Sequence, residues 1–281
     1  MRKLKRVFQA LLFGYITVCI VLMFLENSMV YPAPRYPRGE FADALETALW
    51  NAKNYGAEEV QFKSADGTEL HGWYWQHPDP QGHLLYCHGN GDCVGYLGDY
   101  LSALSQRHQL SIFVFDYRGY GRSEGSPSEA GILKDGVAAR DWLAGRATIS
   151  PTEIILMGRS LGGAVCVEIA ANSGALGLIL QNTFTSLPDA AASIYWFLPV
   201  RFLMRNQYRS IDKIARYSGP VLQSHGTQDR IVPYALGQKL FRAAPGSKTF
   251  FTIEGGDHND PEPESYSVAF EEFLSSLGHT N

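Results

Sequence analysis

The segment with the clearest chemical potential is Gly158-Arg159-Ser160-Leu161-Gly162, which matches the pattern Gly-x-Ser-x-Gly. An apolar run at residues 153–157 precedes it and is typical of a buried strand, and a helix-like run at residues 163–171 follows. Strand, sharp turn, serine and helix is the context in which this pattern forms a nucleophile elbow. A side chain at Gly158 or Gly162 would collide with the neighbouring strand or helix. We therefore predict that Ser160 is a nucleophile; the alternative is an ordinary Gly/Ser loop.

A serine nucleophile needs a general base, and the base needs an acid that orients it. In elbow-type hydrolases the chain order is serine, acid, histidine. Residues 220–224 predict a strand whose exit loop contains Asp229, and residues 248–253 predict a strand whose exit loop contains His258. All three residues then follow the carboxyl ends of strands, where open α/β sheets place their sites. The order predicts a triad of Ser160, Asp229 and His258.

Other acids and histidines fit these roles less well. Asp257 adjoins His258, so its side chain is poorly placed for the imidazole, and Asp212 lies in a poorly defined region. His88 and His225 each precede a glycine on a strand-exit loop and are predicted to brace those loops. Three carboxylates around a proline-rich turn are predicted to be solvated: Asp260, Glu262 and Glu264. The remaining histidines are assigned to strand starts, to an N-terminal hairpin or to the tail: His71, His77, His83, His108 and His279.

The chemistry also needs hydrogen-bond donors for a developing oxyanion. One donor is expected to be the backbone N–H of Leu161, the residue after the nucleophile. The other is expected from residues 88–92, which leave a predicted strand at residues 83–87 and contain two glycines that let the backbone approach a ligand. We predict the Asn90 N–H as this second donor, with Gly91 as the fallback. The alternative is an ordinary glycine turn.

With these motifs in family order, the chain resembles serine hydrolases of the α/β-hydrolase superfamily, and within it the small membrane-anchored α/β-hydrolase-domain proteins. The resemblance runs from about Ala57 to the C-terminus. It implies a mostly parallel sheet flanked by helices, and a serine hydrolase that needs no cofactor. One departure is Gly91-Asp92, because this branch commonly has alanine after the asparagine. The matching motifs are His88-Gly89-Asn90-Gly91, Asp116-Tyr117-Arg118-Gly119-Tyr120-Gly121-Arg122-Ser123, Gly158-Arg159-Ser160-Leu161-Gly162-Gly163, His225-Gly226-Thr227-Gln228-Asp229 and Gly256-Asp257-His258-Asn259.

The elements that position these residues alternate along the chain. Residues 60–63 and 70–75 predict an antiparallel hairpin. From residue 83 onward, predicted strands alternate with helices, one of which covers residues 128–144 and has Pro127 and Ser128 as start signals. Such alternation predicts the same fold class from local pattern alone, a mostly parallel α/β sheet with helices on both faces.

The N-terminus has a different composition. Residues 1–6 are basic, and residues 7–25 form an almost unbroken apolar stretch. About 19 residues at ~1.5 Å each come close to a hydrocarbon core of about 30 Å, which predicts a single-pass transmembrane signal anchor. The positive-inside rule places the catalytic domain on the non-cytoplasmic side. A cleaved signal peptide is the alternative, but no small-residue cleavage site follows Leu25; a lipoprotein signal at Cys19 is disfavoured by the preceding Val18.

Residues 26–56 are predicted to be a linker, stiff and extended at residues 31–37 and with a short helix at residues 40–50. Residues 57–281 are predicted to be one hydrolase domain. Within it, residues 185–215 form an insertion crowded with aromatic and aliphatic side chains. A core helix explains part of this pattern; the alternative is a small cap that forms an apolar acyl pocket over Ser160. A cap predicts that medium-chain acyl esters are cleaved faster than acetyl esters.

The composition argues against several classes of function. The chain is 45% hydrophobic and 19% charged with a net charge of −4, so no basic excess indicates nucleic-acid binding. No Cys/His spacing predicts a metal site, and Cys87 and Cys93 are interpreted as free thiols. The expected partners are a membrane and a small-molecule or lipid-like acyl substrate, cleaved as an ester or thioester. Protein deacylation, peptide cleavage and a catalytically silent binding module remain alternatives.

Overall fold

The computed structural model describes residues 2–35 and 51–278. The helix predicted at residues 40–50 and the tail with His279 lie outside this part of the chain. Within it, eight strands form one sheet in the order β1-β2-β4-β3-β5-β6-β7-β8. The strands are β1 Glu58–Lys63, β2 Glu69–Trp75, β3 Gly82–Cys87, β4 Leu110–Phe115, β5 Ile154–Arg159, β6 Gly177–Gln181, β7 Val221–Gly226 and β8 Lys248–Ile253.

The sheet is antiparallel at one edge and parallel elsewhere. β1 pairs antiparallel with β2, and β2 pairs antiparallel with β4. The pairs from β4 through β3, β5, β6 and β7 to β8 are all parallel. Every residue of β4 and of β6 is buried, as expected for strands whose two faces are both covered by helices. The predicted mostly parallel α/β sheet is therefore confirmed.

Helices cover both faces of the sheet. Alternate residues of β5 belong to two separate core clusters, which places the clusters on opposite faces. One cluster includes apolar side chains of α3 and α4, and the other includes those of α2 and α9. The α-helices described after residue 51 are α2 Gly98–His108, α3 Glu129–Ala147, α4 Leu161–Ser173, α5 Leu187–Ile194, α6 Val200–Leu203, α7 Ser210–Lys213, α8 Tyr234–Ala243 and α9 Glu264–Leu277.

The helix α1, Arg2–Val30, precedes the domain. It is long and apolar enough to cross a membrane, with a mean hydropathy of 2.3 over its most apolar window. It is also longer than the predicted apolar stretch, because residues 26–30, assigned by sequence to a linker, continue the helix. The next residue, Tyr31, is buried against the domain, so the chain does not leave α1 as a free extended segment. The predicted insertion at residues 185–215 contains α5, α6 and α7.

Candidate active site

Ser160 occupies the turn between β5 and α4 in a strained backbone conformation. Its φ is 52° and its ψ is −116°, outside the regions that side chains other than glycine normally adopt. A Cβ built on Gly158 would lie 2.3 Å from the carbonyl oxygen of Gly162, and one built on Gly162 would lie 1.9 Å from that of Cys87. The collisions predicted from sequence are therefore present, one with α4 and one with the end of β3. Strain of this kind persists where surrounding structure imposes it, and it is common at active sites.

Asp229 and His258 form a buried hydrogen-bonded pair. With Nδ1 protonated, the His258 imidazole donates to Asp229 Oδ2 over 2.7 Å. The second carboxylate oxygen, Oδ1, accepts the backbone N–H groups of Ile231 at 2.9 Å and Val232 at 2.7 Å. His258 lines the same cavity as Ser160. The structure therefore brings an oriented imidazole to the cavity that contains the strained serine.

The Asp229 carboxylate has a second histidine partner. Nε2 of His225 lies 3.3 Å from Asp229 Oδ2 and 2.8 Å from the carbonyl oxygen of Val232. Burial raises the pKa of Asp229, but hydrogen bonds from His225 and His258 outweigh it and hold the pKa well below its ordinary value. The acid is therefore ionised throughout the neutral range. His225 braces the loop that carries this acid, the role predicted for it.

Two side chains that sequence reasoning did not single out position the His258 backbone. Arg159 Nη2 donates to the His258 carbonyl over 2.6 Å, and Asn182 Nδ2 donates to the same oxygen over 2.9 Å. Asn182 also accepts the Gly226 N–H at the end of β7, 3.1 Å away. Arg159 is the first variable residue of the Gly-x-Ser-x-Gly motif, so the elbow itself holds the loop that contains His258. Only the position of Arg159 beside Ser160 could have indicated this from sequence.

The other carboxylates have different partners. Asp257 accepts Arg230 Nε over 2.7 Å and the His258 backbone N–H over 2.8 Å, and these bonds lower its pKa to about 2. Its side chain thus serves the backbone of His258 and not the ring. The prediction that Glu262 is solvated is wrong: it is partly buried, accepts Gln181 Nε2 over 2.7 Å, and has a pKa raised by burial. Gln181 lies at the end of β6, a contact that the local sequence around Glu262 does not reveal.

The glycine-rich loop after β3 lies directly against the elbow. A Cβ built on Gly89 would come within 3.9 Å of the Ser160 Cβ. Asn90, Gly91 and Leu161 line the cavity together with Ser160. Leu161 is the first residue of α4, where backbone N–H groups have no acceptor within the helix. Both predicted donor positions therefore border the space in front of the serine.

Side chains from the segment after β4 hold this loop in place. Tyr117 Oη donates to the His88 carbonyl over 2.9 Å, and Tyr120 Oη donates to Asn90 Oδ1 over 2.7 Å. The His88 ring packs on Tyr117 with centroids 4.1 Å apart and is hydrogen-bonded to Gly89 O at 2.8 Å. The loop's conformation is thus set by two buried tyrosines of the motif at residues 116–123. The sequence analysis identified that motif only from its resemblance to α/β-hydrolases.

Comparison with known proteins decides the family. A family model described as "alpha/beta hydrolase fold" matches residues 82–212. An alpha/beta hydrolase domain-containing protein of Arabidopsis thaliana is 34% identical over 223 residues, 72% of each chain. The chain belongs to the α/β-hydrolase superfamily. An uncharacterized protein of Mycobacterium tuberculosis is 39% identical over 206 residues, 73% of each chain. An esterase of Pyrococcus furiosus superposes on this α/β-hydrolase with a TM-score of 0.64, over 88% of this chain and 96% of the esterase, at 17% identity.

The site of this α/β-hydrolase opens into a cavity of about 890 Å³, toward the upper end of the ~300–1,000 Å³ typical of ligand sites. The lining is mostly apolar, and its polar residues include Ser160, His258 and, on α1, Glu26. The insertion at residues 185–215, called the cap below, supplies much of that lining. The cap residues that line the cavity are Leu187, Ala190, Ala191, Ile194, Tyr195, Phe197, Leu198, Val200, Leu203 and Met204.

A further wall of the cavity comes from α1, which sequence reasoning treated only as an anchor. Residues from Val18 to Val30 line the cavity beside the cap. The sequence signal for this role was Glu26, a carboxylate directly after the apolar stretch, since a buried charge requires partners elsewhere in the fold.

In the described residues no group of three or more histidine, cysteine, aspartate or glutamate side chains could hold a metal ion.

Proposed function

We propose that this α/β-hydrolase is a membrane-anchored serine hydrolase that cleaves carboxylic esters or thioesters through an acyl-enzyme intermediate. The observation that carries the proposal is the buried Asp229–His258 pair, whose histidine lines the same cavity as a serine on a strained elbow. A base oriented by an ionised acid is what a serine hydroxyl requires to become a nucleophile. The hydrolase family and the fold shared with an esterase support the same class of chemistry.

In the proposed reaction, Ser160 Oγ attacks the acyl carbon while His258 Nε2 takes the hydroxyl proton. Asp229 keeps the imidazole in the required tautomer and stabilises its charged form. The backbone N–H groups of Leu161 and Asn90 hold the oxyanion of the tetrahedral intermediate. The intermediate collapses, and His258 returns the proton to the leaving alcohol or thiol. Water then attacks the acyl-enzyme by the same route, releasing the carboxylic acid and free Ser160.

An amide would follow the same path, so protein deacylation or peptide cleavage is the alternative within this chemistry. A set of matched substrates with one acyl group on an alcohol, a thiol and an amine separates these possibilities. We expect measurable turnover of the ester and thioester and little of the amide. Comparable kcat/KM for the amide would favour the peptidase alternative.

The anchor in this proposal is α1, with its basic residues at the cytoplasmic end and the catalytic domain on the other side. A single cysteine replacing Ser173, an exposed residue at the end of α4, reports this topology. The expected result in intact cells is labelling of that cysteine by a membrane-impermeant maleimide. Labelling only after the membrane is permeabilised would contradict the orientation.

A fluorophosphonate probe tests the catalytic proposal directly, because it reacts with activated serines. The purified full chain in detergent should be labelled, and Ser160→Ala should abolish labelling. Ser173→Ala, at the far end of the same helix, is the matched control and should label like the wild type. Absence of labelling in folded wild-type protein would refute the proposal and favour a silent binding module on the hydrolase scaffold.

A further inference from the structure

The carboxylate of Glu26 fixes the end of α1 to the cap. Glu26 is only 6% exposed, and its Oε1 accepts the backbone N–H groups of Arg205 at 2.9 Å and Asn206 at 2.8 Å. Asn206 Nδ2 also donates to Oε1 over 2.9 Å, and Arg205 Nε pairs with Oε2 at 3.2 Å. Charge-assisted bonds of this kind are among the strongest in proteins. The end of α1 is therefore a docked part of the domain.

Further contacts extend this docking in both directions along the helix. Tyr31 Oη donates to Asn206 Oδ1 over 2.7 Å, and Asn90 Nδ2 donates to the Val30 carbonyl, which links α1 to the loop beside Ser160. Toward the N-terminus, Tyr15 Oη donates to the carbonyl of Phe197 in the cap over 3.0 Å. The contact between α1 and the domain thus reaches from Tyr15 to Tyr31.

The docked part of α1 also forms one wall of the cavity that contains Ser160. Val18, Leu22, Met23, Glu26, Met29 and Val30 line it, opposite the apolar side chains of the cap. Five of these six side chains are apolar, so this wall offers little to a polar substrate. An acyl chain is the ligand whose chemistry matches a space bounded by aliphatic side chains on both sides.

The length of α1 determines how deep the cap must lie in a bilayer. Tyr15 is ten residues before Leu25, which is about 15 Å along a helix, or about half of a hydrocarbon core of ~30 Å. If residues 7–25 span the core, the cap contact at Tyr15 lies about one leaflet deep. The cap carries exposed aromatic side chains in this region: Trp196 is 81% exposed and Phe202 is 90% exposed. Such a patch is unfavourable in water and favourable in a membrane.

We propose that the cavity opens into the membrane beside α1 and takes the acyl chain of a membrane lipid ester, which reaches Ser160 laterally from the bilayer. This inference rests on the proposed serine-hydrolase function and names its substrate class. The acyl chain would lie between α1 and the cap, with its ester carbon at the polar end of the cavity. The cap would remain immersed in one leaflet, so the lipid would not cross water.

Immersion of the cap is tested without any catalytic readout. The full chain is reconstituted in vesicles of phosphatidylcholine with or without bromine atoms on the acyl chains, which quench nearby tryptophan. Both proteins carry Trp50→Phe, because residue 50 lies outside the described part of the chain. We expect strong quenching when Trp196 is present and much weaker quenching after Trp196→Phe, since Trp73 and Trp75 are buried in the domain and Trp142 is half-buried against Phe113. Equal quenching of the two proteins would overturn the proposed depth.

The role of α1 as a wall is tested by filling the cavity from that side. Leu22→Trp adds bulk to the wall, while Leu11→Trp makes the same change on an exposed part of the helix outside the cavity. Both are assayed in vesicles with dodecanoyl and acetyl esters of 4-methylumbelliferone. For Leu22→Trp we expect kcat/KM for the dodecanoyl ester to fall at least ~10-fold, the scale of small changes in an apolar pocket, with the acetyl ester little affected. Leu11→Trp should leave both unchanged.

The outcomes separate this inference from the proposed function. If the acetyl ester is cleaved and Ser160 is labelled, but Leu22→Trp affects the two esters equally, the function stands and the lipid channel is refuted. If neither ester is cleaved and Ser160 is not labelled, the function itself fails. A third substrate, a water-soluble peptide with a dodecanoyl thioester, tests the route: cleavage as fast as that of a lipid ester in the enzyme's own bilayer would overturn lateral access.

Discussion

Gly162→Ala tests the claim that the elbow exists only because two backbones come unusually close. The added Cβ would lie 1.9 Å from the carbonyl oxygen of Cys87 and 2.7 Å from that of His88. Since real Cβ contacts essentially never fall below 3.0 Å, α4 and the end of β3 would have to separate by about 1 Å. Both colliding groups are main chain, so no side-chain rotation can relieve the overlap.

The magnitude follows from this geometry. Overpacking a core usually costs ~1–3 kcal/mol, and a collision between backbones belongs at or above the upper end of that range. A loss of about 3 kcal/mol lowers the melting temperature of a domain of this size by roughly 6–12 °C. Separating Leu161 from the Gly89 loop should also disturb the proposed oxyanion donors, and a displacement of about 1 Å can cost ~10²-fold in rate.

The matched control is Gly145→Ala, an identical substitution at an exposed position of α3 with no heavy atom within 4 Å of the new Cβ. It should stabilise the protein by ~0.5–1 kcal/mol, because alanine loses less conformational entropy in a helix than glycine. The first readout is the melting temperature, measured by circular dichroism. The second is the rate of ester hydrolysis by the native and refolded proteins. A Gly162→Ala protein that melts within about 2 °C of the wild type would refute the close-approach argument.

Three further predictions address the acid Asp229, the pH dependence of the rate and a buried ion pair. Asp229→Asn should lower kcat for ester hydrolysis by ~10⁴-fold, whereas Asp257→Asn should change it far less, because Asp257 does not contact the His258 ring. Since hydrogen bonds hold the pKa of Asp229 well below its ordinary value, the acid stays ionised from about pH 8 down to about pH 5, and a mechanism that needs a neutral imidazole as base predicts that log kcat/KM rises with pH in this range; a flat profile would contradict the mechanism. Asp135→Ala should cost ~1–3 kcal/mol in urea unfolding, since Arg118 Nη2, 2.7 Å from Asp135 Oδ1 in the wild type, loses its fully buried partner while the guanidinium keeps its ion pair with Asp66.

Local pattern was sufficient to predict most of the sheet. Residues 248–253 were predicted as a strand and form β8, and the run before Ser160 forms β5. These elements are recognisable because a strand buried on both faces is a continuous apolar run bounded by turn residues. The glycines of the elbow were equally informative. Gly158 must be glycine because a side chain there would collide with Gly162, only four residues away, whereas the restriction at Gly162 comes from Cys87 at the end of β3.

Contacts between distant segments were less accessible to sequence reasoning. Glu262 was assigned to solvent from its proline-rich surroundings, yet Gln181 covers it from the end of β6. The pairing of Arg159 with the His258 carbonyl is equally remote in sequence. In both cases the deciding partner comes from another strand, and its identity depends on how the parallel strands are ordered.

The sequence by itself determined the fold class, the elbow and the residues that could act as nucleophile, acid and base, because these depend on short-range periodicity and on chain order. Only the tertiary structure decided what surrounds them. An apolar helix has the same composition whether it crosses a membrane alone or packs against a domain. The docking of α1 depends on Glu26 finding donors about 180 residues away, at Arg205 and Asn206. That contact makes α1 a wall of the cavity. Glu26 is a signal in the sequence that the helix end has partners, but local pattern does not identify them.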